Sequence, residues 1–173
     1  MKYIILDIDN CISDDAWRVK YINWQVNNVF DRYANYHALS CFDDFVLPSE
    51  NGNYKHIAGT FLEEHAIIIS TSRFERYEVI TRHWLARKDI KPIAILMRPD
   101  DYFYPTVDLK RDHYEHIIKT IGTLPAELHK VYDDNPEVCA LYRELGVPVR
   151  QLAISNPNQY ERWKDENSAR DSG

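Results

Sequence analysis

Four short clusters hold the side chains best suited to chemistry in this sequence: Asp7 with Asp9, Ser70-Thr71-Ser72, Lys110, and Asp133-Asp134. Carboxylates combined with hydroxyls and one lysine suit a divalent cation and a phosphoryl group. Mg²⁺ prefers hard oxygen ligands and lets a substrate phosphate complete its octahedron, while an ammonium offsets charge on the transferring group. Taken singly, each cluster has a plainer reading. Asp9-Asn10 is a turn closing a strand, Ser70-Thr71-Ser72 an ordinary strand-to-helix loop, Lys110 a solvated lysine, and Asp133-Asp134 the lead-in to a helix. Asn135 weakens the last of these, because it already supplies the helix cap.

The surrounding elements bring the clusters together. Tyr3-Ile4-Ile5-Leu6 leads into the first acidic pair, Ala66-Ile67-Ile68-Ile69 into the hydroxyls, Pro92 to Met97 into a loop before Lys110, and Lys130-Val131-Tyr132 into the second pair. Short aliphatic runs rich in β-branched residues predict buried strands, and Val147 to Ile154 predicts a fifth. Helical spacing predicts helices over Glu75 to Lys88, with Val79, Ile80, Trp84 and Leu85 as the buried stripe, and over Asp108 to Ile121. A third helix opens with Asn135 as N-cap, Pro136 at the first helical position and Glu137 in the first turn, and ends at Gly146.

Strands alternating with helices imply βαβ units, so the expected fold is α/β: a doubly wound, mainly parallel five-stranded sheet. All strand C-termini then lie on one edge, where open sheets place their ligands. The excursion from Asn10 to His65 is too long for a single crossover. Residues 14–46 predict one or two helices, Phe45 to Asn53 a loop, and Tyr54 to Glu64 a short helix. Residues 14–60 are therefore expected to contain a small helical cap, within one domain over 1–155 followed by a polar tail over 156–173.

At 173 residues the chain suffices for one well-buried core. No apolar run approaches a membrane span and no signal-peptide pattern opens the sequence, so no membrane partner and a cytoplasmic location are expected. Cys11, Cys41 and Cys139 lie in no Cys-x-x-Cys spacing and predict reduced thiols, with Cys11 packing rather than reacting. A net charge of −6 argues against extended duplex binding. Seven Lys/Arg against three Asp/Glu between Arg73 and Arg98 leave room for a local basic site. His37, His65, His83 and His113 show no ligand pairing and are read as structural or surface residues. Trp17, Arg18, Tyr21, Trp24, Tyr33 and Tyr36 are read as core, with nucleobase stacking as the functional alternative.

In order along the chain, Leu6-Asp7-Ile8-Asp9-Asn10-Cys11, the hydroxyls after Ile67-Ile68-Ile69, Lys110, and Asp133-Asp134 resemble the four motifs of the haloacid dehalogenase (HAD) superfamily of phosphohydrolases. With Thr71-Ser72-Arg73, Met97-Arg98-Pro99, Asp108-Leu109-Lys110-Arg111 and Asp133-Asp134-Asn135-Pro136, the chain is similar to the phosphatase half of bacteriophage polynucleotide kinase/3′-phosphatases and their stand-alone relatives. The similarity covers roughly residues 2–152 and is weak in the cap. It departs at Asn10-Cys11, where the family usually has Gly-Thr; Asn tolerates the left-handed backbone that Gly would supply.

The resemblance implies a Mg²⁺-dependent phosphomonoesterase acting on nucleotides or on 3′-phosphate ends of nucleic acid. Asp7 would be the nucleophile, Asp9 the acid then base, and Lys110 the charge-neutralising group. Thr71 would bind phosphate, with Ser72 and the N-terminus of the following helix assisting. Ser70 competes with Thr71 for this role, and the Thr-Ser-Arg match favours Thr71. Asn10, Arg73 and Arg98 join Ser72 as substrate-binding candidates. Mg²⁺ would be held by Asp7, Asp133, the main-chain carbonyl of Asp9, and Asp134 directly or through water. The alternatives are a phosphatase for a non-nucleotide phosphometabolite and a catalytically silent binding module on the same fold.

Overall fold

The computed structural model describes residues 2–45, 65–122 and 125–152. In chain order the strands are β1 (Tyr3–Leu6), β2 (Ser13–Asp14), β3 (Asp44–Phe45), β4 (Ala66–Phe74), β5 (Ala94–Arg98), β6 (Leu128–Asp133) and β7 (Val149–Gln151). The α-helices are α1 (Val29–Ala38), α2 (Glu78–Arg87), α3 (Thr106–His116) and α4 (Pro136–Glu144). Five strands form one sheet in the order β5-β4-β1-β6-β7, every pair parallel. The sequence expectation of a doubly wound α/β sheet is met.

Period-two alternation sorts each strand between two cores. Ile4, Leu6, Ile67 and Ile69 pack with Trp84 and Leu85 of α2, whereas Ile5, Ile68 and Val131 pack with Ile117, Val138 and Tyr142 on the α3–α4 side. Burying each such side chain stabilises the fold by about 1.5–3 kcal/mol. Continuing the alternation past the apolar run puts Thr71 and Arg73 on the α2 side and Ser70 on the α3 side.

Several boundaries differ from the sequence expectation. β4 runs on to Phe74, so Ser70, Thr71 and Ser72 lie within the strand rather than in a loop, and a 3-10 turn (Glu75–Tyr77) precedes α2. The N-terminus of α2 therefore does not adjoin these hydroxyls, and the helix support expected for phosphate there is not provided. With α2 opening at Glu78, the inward positions are Thr81, Trp84 and Leu85, at i, i+3 and i+4. Val79 falls on the opposite side and is exposed. α3 begins at Thr106 and continues as a π-turn over Ile117–Ile121.

α4 starts as the sequence predicts: Asn135 Oδ1 accepts from the N–H groups of Glu137 and Val138, and Pro136 occupies the first turn. Gly146, at φ 76°, closes it, its N–H donating to the Arg143 carbonyl.

The described part of the insertion contains one α-helix, not two. A turn over residues 8–13 leads into the antiparallel pair β2–β3, with 3-10 turns at Ala16–Tyr21 and Ser40–Phe42 flanking α1. The pairing of Ser13 with Phe45 and Asp14 with Asp44 was not legible, because two-residue strands carry no periodicity. The predicted helix over Tyr54 to Glu64 and the polar tail lie outside the described residues. Among the described residues no helix is long and apolar enough to cross a membrane.

Candidate active site

Asp7 follows directly on β1, tied in by its N–H to the Tyr132 carbonyl at 2.9 Å. Its side chain faces the α3 side, as does that of Asp133 at the end of β6. From α3, the buried Lys110 reaches between them, its Nζ 2.7 Å from Asp7 Oδ1 and 3.1 Å from Asp133 Oδ2, and also donates to the Ser70 carbonyl. Asp134, next on the chain, accepts from Asn10 Nδ2 at 2.8 Å. That contact depends on the turn: Asn10 sits at φ 57°, a left-handed conformation that Asn tolerates.

Carboxylate oxygens of Asp7, Asp133 and Asp134 all come within 4.8 Å of one another. Burial, and then the balance between Lys110 and the neighbouring carboxylates, pushes Asp7 up to about 7. Burial with repulsion from Asp7 and Asp133 drives Asp134 well above the usual carboxylate range, despite the Asn10 hydrogen bond. The carboxylates outnumber the one lysine among them, and a hard divalent cation is the partner that would relieve the excess. These donors fit Mg²⁺.

Asp9 also borders the cavity but is gripped by two buried arginines. Arg73 places Nη2 2.6 Å from Oδ1 and Nε 3.1 Å from both oxygens, while Arg18 Nη2 donates to Oδ1 from the other side. Burial alone would raise the Asp9 carboxyl, but Arg73 and Arg18 overcome it and hold the group well below the usual carboxylate range. The Asp9 carboxylate thus lies outside the cluster of Asp7, Asp133 and Asp134.

The arginines are themselves positioned by Asp43, which the sequence did not single out. Arg18 Nε lies 2.8 Å from Asp43 Oδ1 and Nη2 2.6 Å from Oδ2; Arg73 Nη2 lies 3.5 Å from the same Oδ2. Ser13 and Trp17 also donate to the Asp43 carboxylate, and Trp84 Nε1 donates to its carbonyl at 2.8 Å. Two acids and two guanidinium groups form a charge-balanced buried network, the condition under which such charges are tolerated.

Of the hydroxyls, Thr71 lines the cavity beside Asp7 and accepts from the Arg73 N–H, while Ser70 faces α3 and bonds His113 Nδ1 at 2.9 Å. Alternation within β4 separates them. Ser72 lines the cavity, its Oγ 3.5 Å from Thr106 Oγ1. Arg98 borders the cavity, but its N–H groups go to the Tyr102 and Tyr104 carbonyls and Thr106 Oγ1, bracing the loop between β5 and α3. Arg76, also in the basic stretch between Arg73 and Arg98, pairs on the surface with Asp100 at 3.1 Å.

The cavity over the site has a volume of about 470 Å³. Its floor is acidic, from Asp7, Asp9, Asp133 and Asp134, and its walls are aromatic: Trp24, Tyr33 and Tyr36 from the insertion, Phe74 from β4, Phe103 and Tyr104 from the β5–α3 loop. Phe103 and Tyr104 were missed in the sequence, where two rings in a Pro-rich loop signal nothing. Trp17 and Tyr21 instead pack edge-to-face against each other on the outer side, ring centroids 6.3 Å apart. His37, read as structural, also lines the cavity. Cys11 is fully buried in the core, as expected.

Sheet order, insertion after the first strand, and acidic residues at the ends of β1 and β6 define a HAD-like α/β fold. Solved structures bear this out. A chain of the Pnkp1/Rnl/Hen1 RNA repair complex is similar over 87% of this chain, with a TM-score of 0.59 at 18% identity; this chain spans 42% of that chain's length. A HAD family enzyme of Bacteroides thetaiotaomicron, in complex with magnesium and inorganic phosphate, is similar over 92% of this chain and 98% of its own, with a TM-score of 0.53 at 11% identity. No protein-family model matches the sequence, and no curated protein matches it significantly.

Proposed function

We propose that this chain is a Mg²⁺-dependent phosphomonoesterase that works through an aspartyl phosphate on nucleotides or on 3′-phosphate ends of nucleic acid. The observation that carries the proposal is the juxtaposition of Asp7, Lys110, Asp133 and Asp134 on the floor of an aromatic-walled cavity. Neighbours with this fold include an enzyme in complex with magnesium and phosphate and a chain of an RNA repair complex, which supports both halves of the reading.

Asp133 and Asp134, with one oxygen of Asp7, would hold Mg²⁺, which when bound supplies Lewis-acid stabilisation of the phosphoryl oxygens. Asp7 attacks phosphorus in line with the ester oxygen, forming the acyl-phosphate bond as the P–O ester bond breaks. Lys110 neutralises charge developing on the transferring group, and the Thr71 hydroxyl donates to one of its oxygens. Asp9, held ionised by Arg18 and Arg73, is ready to take a proton from the water that hydrolyses the intermediate. Its earlier turn as acid, protonating the departing alkoxide, requires the carboxyl to take up a proton and therefore the clamp of Arg18 and Arg73 to loosen.

The test is phosphate release under matched conditions from 3′-phosphorylated oligonucleotides, mononucleotides, sugar phosphates and p-nitrophenyl phosphate, with and without Mg²⁺. Preference for the nucleotide substrates and loss of release in Asp7→Asn are expected. Equal rates on sugar phosphates would remove the nucleotide half of the reading, and full activity of Asp7→Asn would remove the mechanism.

A further inference from the structure

The loop between β5 and α3 is braced from two directions. The Tyr102 N–H donates to the Pro99 carbonyl at 3.0 Å and its hydroxyl to Asp112 Oδ2 at 2.8 Å, which ties the loop to α3. The buried Arg98 guanidinium donates to the Tyr102 and Tyr104 carbonyls at 3.3 and 2.8 Å and to Thr106 Oγ1 at 3.1 Å. Two rings on this fixed backbone are nevertheless left out of the core: Phe103 is 67% exposed and Tyr104 68%. A single exposed aromatic is ordinary, but two adjacent ones on a braced loop leave unused the large gain that burying such rings brings.

Their place says what would cover them. Both rings line the cavity whose floor carries Asp7, Asp133 and Asp134. Thr106 and Lys110, from the same short stretch of chain, line it too, and Lys110, one helical turn or about 6 Å beyond Thr106, makes the contact with Asp7. Elsewhere in the wall Tyr36 and Phe74 are buried, so exposed aromatic surface is concentrated on this loop. Phe103 meets Phe30 of α1 edge-to-face, centroids 5.3 Å apart and planes at 87°, a contact that orients the ring without covering both its faces. A platform held in this way gives up little freedom when a ligand lands on it.

Flat apolar faces beside a phosphoryl site match a flat ring joined to phosphate through a sugar. A nucleotide or a nucleic-acid 3′ end carries such a ring, and a sugar phosphate does not. Resting on the phosphatase reading, we infer that Phe103 and Tyr104 are specificity-determining residues that stack on the base of the nucleotide bearing the scissile phosphate. The substrate class this selects is a base-bearing phosphomonoester over the same sugar phosphate without its base. Every base has a π-face, so stacking of this kind accepts purines and pyrimidines alike.

The test compares kcat and KM for thymidine and 2′-deoxyadenosine 3′-monophosphates with those for the abasic 1,2-dideoxyribose 3-phosphate, in the wild type, Phe103→Ala, Tyr104→Ala, Phe103→Leu and Phe103→Trp. The wild type is expected to favour both nucleotides over the abasic compound by about tenfold or more in kcat/KM, the scale of one base–aromatic stack. Each alanine variant is expected to lose most of that preference through a higher KM for the nucleotides. Phe103→Leu, which keeps an apolar contact with Phe30 but has no flat face, should recover little of it, and Phe103→Trp should keep it. A wild type without the preference overturns the inference while leaving the phosphatase reading in place. An equal fall on all three substrates in the alanine variants, or full recovery in Phe103→Leu, also overturns it, because either marks a role in shaping the loop. If the wild type releases no phosphate from any of the three, the phosphatase reading itself fails and takes this inference with it.

Discussion

The Arg73 guanidinium meets the Asp9 carboxylate across 64 residues of chain, with Nη2 2.6 Å from Oδ1 and Nε 3.1 Å from each oxygen. Arg73 is fully buried and shares Asp43 with Arg18. Removing either partner leaves an uncompensated charge in the interior, at a cost of roughly 3–5 kcal/mol. Arg73→Ala is therefore expected to lower the urea midpoint and reduce phosphate release at least a hundredfold. Arg73→Lys restores the charge but not the forked geometry, so it should recover stability more than activity. Activity equal to wild type in Arg73→Lys would show that the fork is not needed.

Asp43 lies at the far side of the same network and does not line the cavity. Asp43→Asn keeps the shape but removes one of two negative charges facing Arg18 and Arg73. Its expected effect is a loss of about 2–4 kcal/mol in unfolding free energy, with a fall in kcat larger than any rise in KM. Denaturation curves and steady-state kinetics on one protein preparation measure both.

The acidic cluster gives a pH signature. Asp7 is pushed from its ordinary 3.8 up to about 7, so the folded chain holds this proton more tightly than the unfolded chain does. Its contribution favours folding below about pH 4 and is lost as pH rises through about 7. Cation binding needs the ionised form, so added Mg²⁺ should raise Tm more at about pH 8 than at about pH 5, by several degrees at saturation. Asp7→Asn and Asp134→Asn should blunt the shift, and thermal melts in paired buffers decide. A Mg²⁺ effect independent of pH would falsify the assignment of the cluster to the metal.

Asn10 tests the turn. At φ 57° a β-carbon costs about 1–2 kcal/mol unless the side chain compensates locally. Asn10→Gly removes that strain but also the 2.8 Å bond to Asp134, leaving stability near wild type while weakening the response to Mg²⁺. Asn10→Ala keeps the strain and loses the bond, so it should be the less stable of the two, by roughly 1 kcal/mol. Chemical denaturation of both variants makes the comparison.

Much of this protein follows from local sequence. Apolar runs leading to Asp7, to Thr71 and to Asp133 specify strands with chemistry towards one edge, because a parallel sheet aligns its strands whatever lies between them. Asn135-Pro136-Glu137 fixes the start of α4, since caps are decided by neighbouring residues, whereas the left-handed backbone at Asn10 was implied only by the family resemblance. Tertiary structure alone decided the rest. Arg18, Asp43 and His37 belong to the site only because the insertion folds back over the sheet, and no spacing announces contacts made between distant segments. It also separated Ser70 from Thr71: one step along β4 turns a side chain to the opposite face, so Ser70 meets His113 while Thr71 lines the cavity.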